Sequence, residues 1–527
     1  MSPNVSRRSP ILTNGQIFVH HTILAYGAHR SGKKNTMISK FCRPASGSYS
    51  RTRTPKRGLS IVTLAVLMLS GARLCAASSG CGSEVIDRQQ ARAAIAFVIA
   101  QVRNAHYTSR SDADEPTLRQ LARLSAAISS GLTSSMLAHR INMALQFAQD
   151  AHLRLELPSE YAADCPALPL ELTWTDDGLI VLRGSDIPVG SRISSISGRA
   201  LDALQTLASE AIPHENQFWV RSIFARNIVR IDQLSAFGLA DPDGSVRIEF
   251  QSPNGASMQV RLKPSTRLKA ARNWVGYELY PVASTAMFWL ERCDPNDEFF
   301  STLNAFVHEV GRQNLRKVVI DLRGNPGGDS SVAVAVLRSM GQTLRRGFSV
   351  AVRVSPELLR DMPIFAPAAI TPAFEAAGLA SPQLESTRYT VPGSMILGLL
   401  NDRLAHRQLD EVTHRSLYLL TDGGTFSSAA LFAVLVRDNG LGLLVGEPTG
   451  NSVTFNGSEI ERAVPGTRYV LHLSTAKLIR PDEVAGSAPA LLPDLRAPQT
   501  AASVRAGHDA ALDMILSRPP DETTDSR

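Results

Sequence analysis

Three hydroxyl side chains lie at a predicted strand-to-helix turn in the second half of the chain. An apolar run at 417–421 ends at two glycines, a helical pattern follows at 429–437, and the turn between them holds Thr425, Ser427 and Ser428. Backbone amides at the start of a helix favour negative charge, so such a turn can hold a nucleophile. The alternative is that Ser427 or Ser428 only caps the helix.

A second strand-to-helix turn has the sequence RGNPGG at 323–328. It follows a run rich in β-branched residues at 317–322 and precedes a helical pattern at 330–340. The turn lacks both the GxxxxGK[ST] and the GxGxxG spacing, which argues against a phosphate loop and a dinucleotide site. Its glycine amides can instead converge on one small anionic atom, as an oxyanion hole requires. The alternative is a tight turn that binds nothing.

A histidine follows the N-terminal helical segments in the sequence Asp150-Ala151-His152. Beside an acid it can act as a general base, although the residues alone equally allow a surface histidine. The chain contains no HExxH and no CxxC pattern. We therefore predict no metal site and no cofactor.

The basic excess of the chain belongs to a leader. Residues 1–80 hold 12 Lys and Arg and no Asp or Glu, which leaves 43 basic against 48 acidic residues in the remainder. The body is therefore mildly acidic, and nucleic acid is not an expected partner. Basic residues at 51–57, an apolar run at 59–69 and small residues at 76–79 have the order of a secretory signal. The apolar run is too short for a comfortable membrane span.

These features predict export to the periplasm or the medium, with cleavage after Ala76 or Ala77. Cys81 also raises the option of a lipoprotein, but the Leu typical of a lipid-attachment site is missing three residues before it. Two of Cys81, Cys165 and Cys293 could pair in an oxidising compartment, and their spacing does not say which.

The patterns divide the chain into five regions. These are a leader with a secretory signal (1–77), an N-terminal helical bundle (85–160), a β-rich domain with a helical insertion (166–265), an α/β domain (268–500) and a C-terminal helix or disordered tail (501–527). Within the α/β domain, the segment 350–414 is predicted to extend over the rest of the domain, where it could form a lid.

Two local predictions concern element ends in the α/β domain. We expect a helix at 295–313, with Asp294 as its cap and Pro295 in its first position. We expect edge strands at 469–473 and 491–495.

The two turns also carry a family resemblance. The sequence VIDLRGNPGG at 319–328 resembles the loop shared by C-terminal processing (tail-specific) proteases, the tricorn core protease and the retinoid-binding interphotoreceptor protein. TFSSA at 425–429 and VGEPTG at 445–450 resemble the nucleophile segment of that family, in the same order. More weakly, 190–198 resembles the peptide-binding loop of its PDZ-like domain. The resemblance covers roughly 85–500.

The resemblance implies a serine protease with a crotonase-like or ClpP-like α/β core. It assigns the nucleophile to Ser427 rather than Ser428, and the oxyanion hole to the amides of Ser428 and Gly327. Tail-specific proteases use a lysine where this chain has Ser452, so a Ser–Lys dyad is not expected. The tricorn-like branch uses a histidine in an Asp-x-His context, and this makes His152 the expected base.

In the tricorn type a glutamate completes the relay. The candidates are Asp482 and Glu483, of which we assign Glu483, while Asp438 is read as structural. The expected substrate is a peptide or an unfolded protein, which a PDZ-like domain would dock by strand addition. Two alternatives remain open, namely a non-catalytic ligand- or peptide-binding protein on this fold and a hydrolase of small esters.

Overall fold

The computed structural model describes residues 81–108, 115–265, 268–269 and 271–519. The leader and secretory signal predicted at 1–77 lie outside this part of the chain. Among the described residues, no helix combines the length and the apolar character that a bilayer crossing requires.

The N-terminal region is mainly helical. Its first helix begins with a capping box, in which Asp87 accepts from the Gln90 amide at 2.8 Å and the Gln90 side chain accepts in return. A disulfide between Cys81 and Cys165 joins the two ends of the region, and the remaining described cysteine, Cys293, is free and buried. The elements are β1 (Val85–Ile86), α1 (Arg88–Ala105), α2 (Pro116–Ala127), β2 (Leu132–Thr133), α3 (Ser134–Leu145), β3 (Arg154–Glu156) and α4 (Ser159–Ala163).

The next region is an antiparallel sheet with three helices. The strand order is β4-β5-β6-β8-β9, with the short β7 beside β6. The helices α6 and α7 lie in the segment where we predicted a helical insertion. The elements are β4 (Leu170–Thr175), β5 (Gly178–Gly184), β6 (Arg192–Ile196), β7 (Arg199–Ala200), α5 (Leu201–Ala211), α6 (Gln217–Asn227), α7 (Ile231–Ala236), β8 (Val246–Gln251) and β9 (Ser257–Leu262).

The third region is α/β and contains two sheets. Its elements are β10 (Val275–Tyr280), β11 (Thr285–Leu290), α8 (Asp297–Arg312), β12 (Lys317–Asp321), α9 (Ser331–Ser339), β13 (Ser349–Arg353), α10 (Pro356–Asp361), α11 (Pro367–Ala376), β14 (Arg388–Val391), α12 (Gly393–Arg403), β15 (Ser416–Thr421), α13 (Ser428–Asp438), β16 (Leu443–Gly446), β17 (Phe455–Ala463), β18 (Val470–Ile479) and β19 (Leu495–Arg496). The helices α14 (Ala501–Ala506) and α15 (Ala510–Leu516) follow.

The main sheet has the order β10-β11-β12-β15-β16-β19. All neighbouring strands from β11 to β19 are parallel, and only β10 runs antiparallel to its neighbour. Every residue of β12 is buried, which suits a parallel strand covered on both faces. The carboxyl ends of these parallel strands therefore lie along one edge.

The second sheet has the order β14-β13-β18-β17, and β3 from the N-terminal region pairs with β18. The prediction of an edge strand at 469–473 is wrong, because β18 has neighbours on both sides. β17 directly precedes β18 in the chain, but β13 and β3 lie far away in sequence, so no local pattern could show that they pair with it. Two strands of this sheet, β13 and β14, lie at the start and in the middle of the segment 350–414.

The predicted start of the helix at 295–313 is also corrected. Asn296 is the cap of α8, and its side chain accepts from the Phe299 amide at 2.9 Å. Asp294 and Pro295 therefore precede the helix. Asparagine and aspartate are equally good caps, so the sequence pattern did not separate the two positions.

The C-terminal helices tie the last part of the chain to the earlier regions. Gly190, in the predicted peptide-binding loop, lies against α14, where an added Cβ would stand 2.8 Å from the Arg505 Cβ. The Ala501 amide donates to Asp177 at 2.7 Å. This end of the β-rich region is thus covered by the protein itself.

Candidate active site

The two glycine-containing turns leave adjacent parallel strands. β12 and β15 pair directly, with Asp321 opposite Leu420, and both turns therefore emerge at the same edge of the main sheet. The strand–turn–helix order predicted for each turn is observed, as β12 leads to α9 and β15 leads to α13.

The Asp422 carboxylate holds the two turns together. One of its oxygens accepts from the Gly324 amide at 2.8 Å and from the Gly424 amide at 2.9 Å. The Phe426 amide also donates to the Asn325 carbonyl at 2.9 Å. Sequence reasoning missed Asp422, although its position directly after a buried strand is a usable signal.

Ser427 occupies the N-cap position directly before α13, but its side chain does not cap the helix. Its φ of 52° and ψ of −124° are unusual for a residue other than glycine, and its side chain makes no capping hydrogen bond. The Ser427 amide instead donates to the Asn451 side chain at 2.7 Å. The alternative that Ser427 only caps the helix is therefore wrong, and the strained backbone presents a half-buried hydroxyl at the turn.

Ser428 is tied to the glycine loop. Its hydroxyl donates to the Gly328 carbonyl at 2.6 Å and lies 2.9 Å from the Ser330 hydroxyl. Its amide, by contrast, donates to no acceptor among the described residues. Ser428 therefore offers a backbone donor at the helix start, while its side chain serves the contact between the turns.

Gly327 touches the serine turn, but its amide is committed elsewhere. An added Cβ on Gly327 would stand 2.7 Å from the Ser427 Cβ and 2.8 Å from the Ser428 nitrogen, so only glycine fits here. The Gly327 amide donates to the Asn325 side chain at 2.8 Å. The neighbouring Gly328 amide has no acceptor in the described part of the chain.

His152 lies on the ring of the residue that precedes Ser427. Its ring centroid is 4.3 Å from that of Phe426, and Phe455 stacks on it at 5.6 Å. His152 is only 2% exposed, and neither ring nitrogen has a hydrogen-bond partner among the described residues. Burial lowers the pKa of His152. The Glu459 and Asp150 carboxylates raise this pKa, but burial is the larger effect, so the pKa lies below its usual value.

Asp150 faces His152 and is itself held by a second histidine. One Asp150 oxygen accepts from the His152 amide at 2.9 Å and lies 3.8 Å from His152 Nδ1. The other lies 2.9 Å from His106 Nε2. Burial raises the pKa of Asp150, but the hydrogen bond and charge of His106 outweigh burial, so the pKa lies below its usual value. The sequence did not single out His106.

Glu215 approaches this pair from the loop before α6. One oxygen of Glu215, one of Asp150 and a ring nitrogen of His152 all lie within 4.8 Å of one another. Glu215 also accepts from the Ser452 amide at 2.7 Å. Burial raises the pKa of Glu215 to about 8, and the Asp150 charge adds to this rise. No motif surrounds Glu215, so the sequence carried no signal for it.

Glu483 is not brought to His152. It is an exposed residue in the turn after Arg480, and its side chain makes no hydrogen bond or ion pair in the described part of the chain. Asp482 lies in the same turn, where its amide donates to Asp438 at 3.0 Å. Asp438 ends α13 and pairs with Arg480 at 2.5 Å, which agrees with the structural role predicted for it.

Comparison with known proteins relates the segment that holds both turns to a family. Residues 296–497 match the family profile described as Peptidase family S41. No curated protein matches the sequence. The structure resembles that of mature CPAF, with a TM-score of 0.56 and 14% identity over 81% of this chain and 96% of that chain.

A second structure, of mature CPAF complexed with lactacystin, is similar at a TM-score of 0.54 and 14% identity, over 81% of this chain and 97% of that chain. A photosystem II D1 C-terminal processing protease has 14% identity over 82% of this chain and 98% of that chain, with a TM-score of 0.40. At these identities the likeness to CPAF concerns the fold. The matched segment contains both turns, so residues 296–497 are similar to peptidase family S41, and the chain is a serine-type peptidase.

Proposed function

We propose that the chain is an exported serine peptidase in which Ser427 is the nucleophile and His152 is the general base. One observation carries this assignment: a buried histidine, whose two ring nitrogens have no hydrogen-bond partner among the described residues, packs on Phe426, next to a serine whose strained backbone presents a hydroxyl that does not cap the helix. Ser427 Oγ attacks the scissile carbonyl, and His152 takes its proton and passes it to the leaving amine.

The protonation state of His152 suits this role. A base must be neutral before it accepts a proton, and burial favours the neutral imidazole. Once protonated, the imidazolium gains from the Asp150 carboxylate, which lies 3.8 Å from Nδ1. We therefore assign the positioning acid to Asp150 rather than to Glu483.

Two amides at the turns can stabilise the tetrahedral oxyanion. The Ser428 and Gly328 amides are both free of other acceptors in the described part of the chain, and each donor is worth about 3 kcal/mol in a site of this kind. The Gly327 amide is the weaker choice, since it already donates to Asn325. Gly327 contributes by letting the loop approach Ser427.

Export is supported by the disulfide as well as by the leader. A Cys81–Cys165 pair suits an oxidising compartment. The disulfide uses the sulfur atom that lipid attachment at Cys81 would need, so the two are mutually exclusive. We further propose that the region from β4 to β9 is PDZ-like and docks an extended peptide by strand addition, away from the end at Gly190 that α14 covers.

The first prediction separates the two serines. Protein lacking residues 1–77 should cleave an unfolded protein and react with a fluorophosphonate probe, and Ser427→Ala should lose both by at least about 10⁴-fold. Ser428→Ala is the matched control, since it keeps the backbone amide and should retain labelling with a smaller loss of rate. Cleavage that survives in Ser427→Ala would refute the nucleophile. Full activity in His152→Ala would refute only the base, and labelling with turnover of esters alone would favour a small-ester hydrolase.

A further inference from the structure

The cluster formed by Asp150, His152 and Glu215 has more ligand capacity than proton transfer requires. A nitrogen and two carboxylate oxygens lie within 4.8 Å of one another. Both His152 nitrogens and Glu215 Oε1 are buried without a hydrogen-bond partner among the described residues. Unpartnered polar atoms in a buried position cost free energy, so they indicate that a ligand can satisfy them.

We propose that this cluster is an inhibitory binding site for a divalent transition-metal ion, with Zn²⁺ as the best match. One imidazole nitrogen and two carboxylate oxygens form a donor set that suits Zn²⁺, whereas Mg²⁺ and Ca²⁺ prefer oxygen ligands alone. A fourth position is left for water.

The required movement is small. Zinc lies about 2.1 Å from nitrogen and oxygen ligands, so two of its ligands are at most about 4.2 Å apart. The Asp150 and His152 atoms meet this limit already at 3.8 Å. Glu215 lies on a loop and is only partly buried, which gives the ion a path into the cluster. A side-chain rotation of Glu215 closes the remaining distance.

Metal binding would prevent His152 from accepting a proton, whichever ring nitrogen coordinates the ion. An ion on His152 Nε2 occupies the lone pair that accepts the serine proton. An ion on Nδ1 leaves the ring proton on Nε2, which then donates and cannot accept. No bond is made or broken beyond coordination. The inhibition rests on the proposed role of His152, whereas the binding does not.

Binding is tested first in the absence of turnover. Untagged Ser427→Ala protein without residues 1–77 should bind Zn²⁺ with one tight site in calorimetry and release it to a chelator. Co²⁺ in the same protein should give the absorption bands of a tetrahedral site. Glu215→Gln in this background should weaken the site by more than about tenfold, since even groups one step from the metal contribute this much. Glu210→Gln, an exposed acid on α5, is the matched control.

Inhibition is tested second, in protein that retains Ser427. Zinc should abolish cleavage reversibly, Mg²⁺ and Ca²⁺ should not, and Glu215→Gln should shift the inhibiting concentration upward by the same factor as the binding constant. A zinc affinity that is unchanged in Glu215→Gln, with a native melting curve, overturns the proposal. Tight binding without any peptidase activity would instead refute the proposed function and leave the metal site standing.

Discussion

Ser427 and Ser428 are neighbours with different surroundings. Ser427 has a left-handed φ and a hydroxyl that caps nothing, while the Ser428 hydroxyl is held by Gly328 and Ser330. The difference accompanies the backbone of Ser427, whose φ of 52° is unusual for a residue other than glycine. Two serines of identical chemistry thus differ in their side chains: that of Ser427 makes no capping hydrogen bond, whereas that of Ser428 is bonded between the two turns.

Glu447 is a second residue whose surroundings set its chemistry. Its amide donates to the Thr421 carbonyl at the end of β15, and its carbonyl accepts from the Thr421 hydroxyl. Its side chain accepts from the Gln499 amide at 3.2 Å. Burial raises the pKa of Glu447 to about 7, and the nearby Asp422 charge adds to the rise. The folded protein therefore holds a proton that the unfolded chain releases, and stability falls as the pH rises from about 4.5 to about 7.

Replacing this carboxyl should stabilise the protein at high pH. Glu447→Gln should raise the free energy of unfolding by on the order of 1–2 kcal/mol more at pH 8 than at pH 5, which corresponds to a few degrees in melting temperature. Thermal melts at the two pH values measure this difference. The exposed Glu385→Gln is the control and should show no such dependence. A gain that is equal at both pH values would mean that Glu447 is ionised in the folded state.

At the scale of elements, the site depends on two strand ends that are clamped together. The β12 and β15 ends are adjacent, and Asp422 binds one amide from each turn. The clamp fixes the distance between the glycine loop and the helix start of α13. Because oxyanion donors must be placed within tenths of an ångström, loosening this clamp should affect turnover before it affects folding.

The corresponding prediction concerns Asp422→Ala. Loss of the clamp should lower kcat by about 10²-fold, as expected for a displacement of about 1 Å, with little change in KM. Asp422→Asn keeps an acceptor oxygen and should retain most of the activity. Asp494→Ala is a further control, because Asp494 accepts from the Leu444 amide at 2.9 Å elsewhere on the same sheet. An Asp422→Ala enzyme with normal kcat would show that the turns do not need the clamp.

At the scale of the whole molecule, three regions meet at Phe426. His152 comes from the N-terminal region, and Trp219 of α6 stacks on the other side at 4.0 Å. From the same helix, Arg226 donates to the Gly324 carbonyl at 2.8 Å. The helix α6 therefore contacts both turns, and His152 reaches Phe426 at the serine turn only when all three regions are docked.

Trp219→Ala should consequently impair catalysis from outside the α/β region. Loss of the ring should cost about 3–5 kcal/mol of stability and lower kcat by at least about tenfold, because the Phe426–His152 stack loses its support. Trp174→Ala is the matched control, since the Trp174 ring packs on Phe224 within the β-rich region, with 6.0 Å between the ring centroids. It should destabilise the protein while kcat of the folded fraction stays normal. Equal kcat in both variants would refute this coupling.

The sequence alone determined the local parts of the site. The strand–turn–helix units, the loop glycines, the serine turn and the Asp-x-His segment all show in short windows, because their chemistry depends on neighbours within a few residues. The sequence also showed Ser452 at the position where tail-specific proteases have a lysine. These features sufficed to predict a serine-type peptidase and an α/β fold around the two turns.

Only the tertiary structure decided which groups meet. Glu215 reaches Asp150 and binds the Ser452 amide, while Glu483 stays in an exposed turn. The Gly327 amide donates to the Asn325 side chain, and β18 pairs with β13, β17 and β3. Each of these outcomes depends on the final position of a carboxylate, an amide or a strand relative to groups that are mostly distant in sequence. The free energies of burial, charge and hydrogen bonding arise only once packing has set those distances.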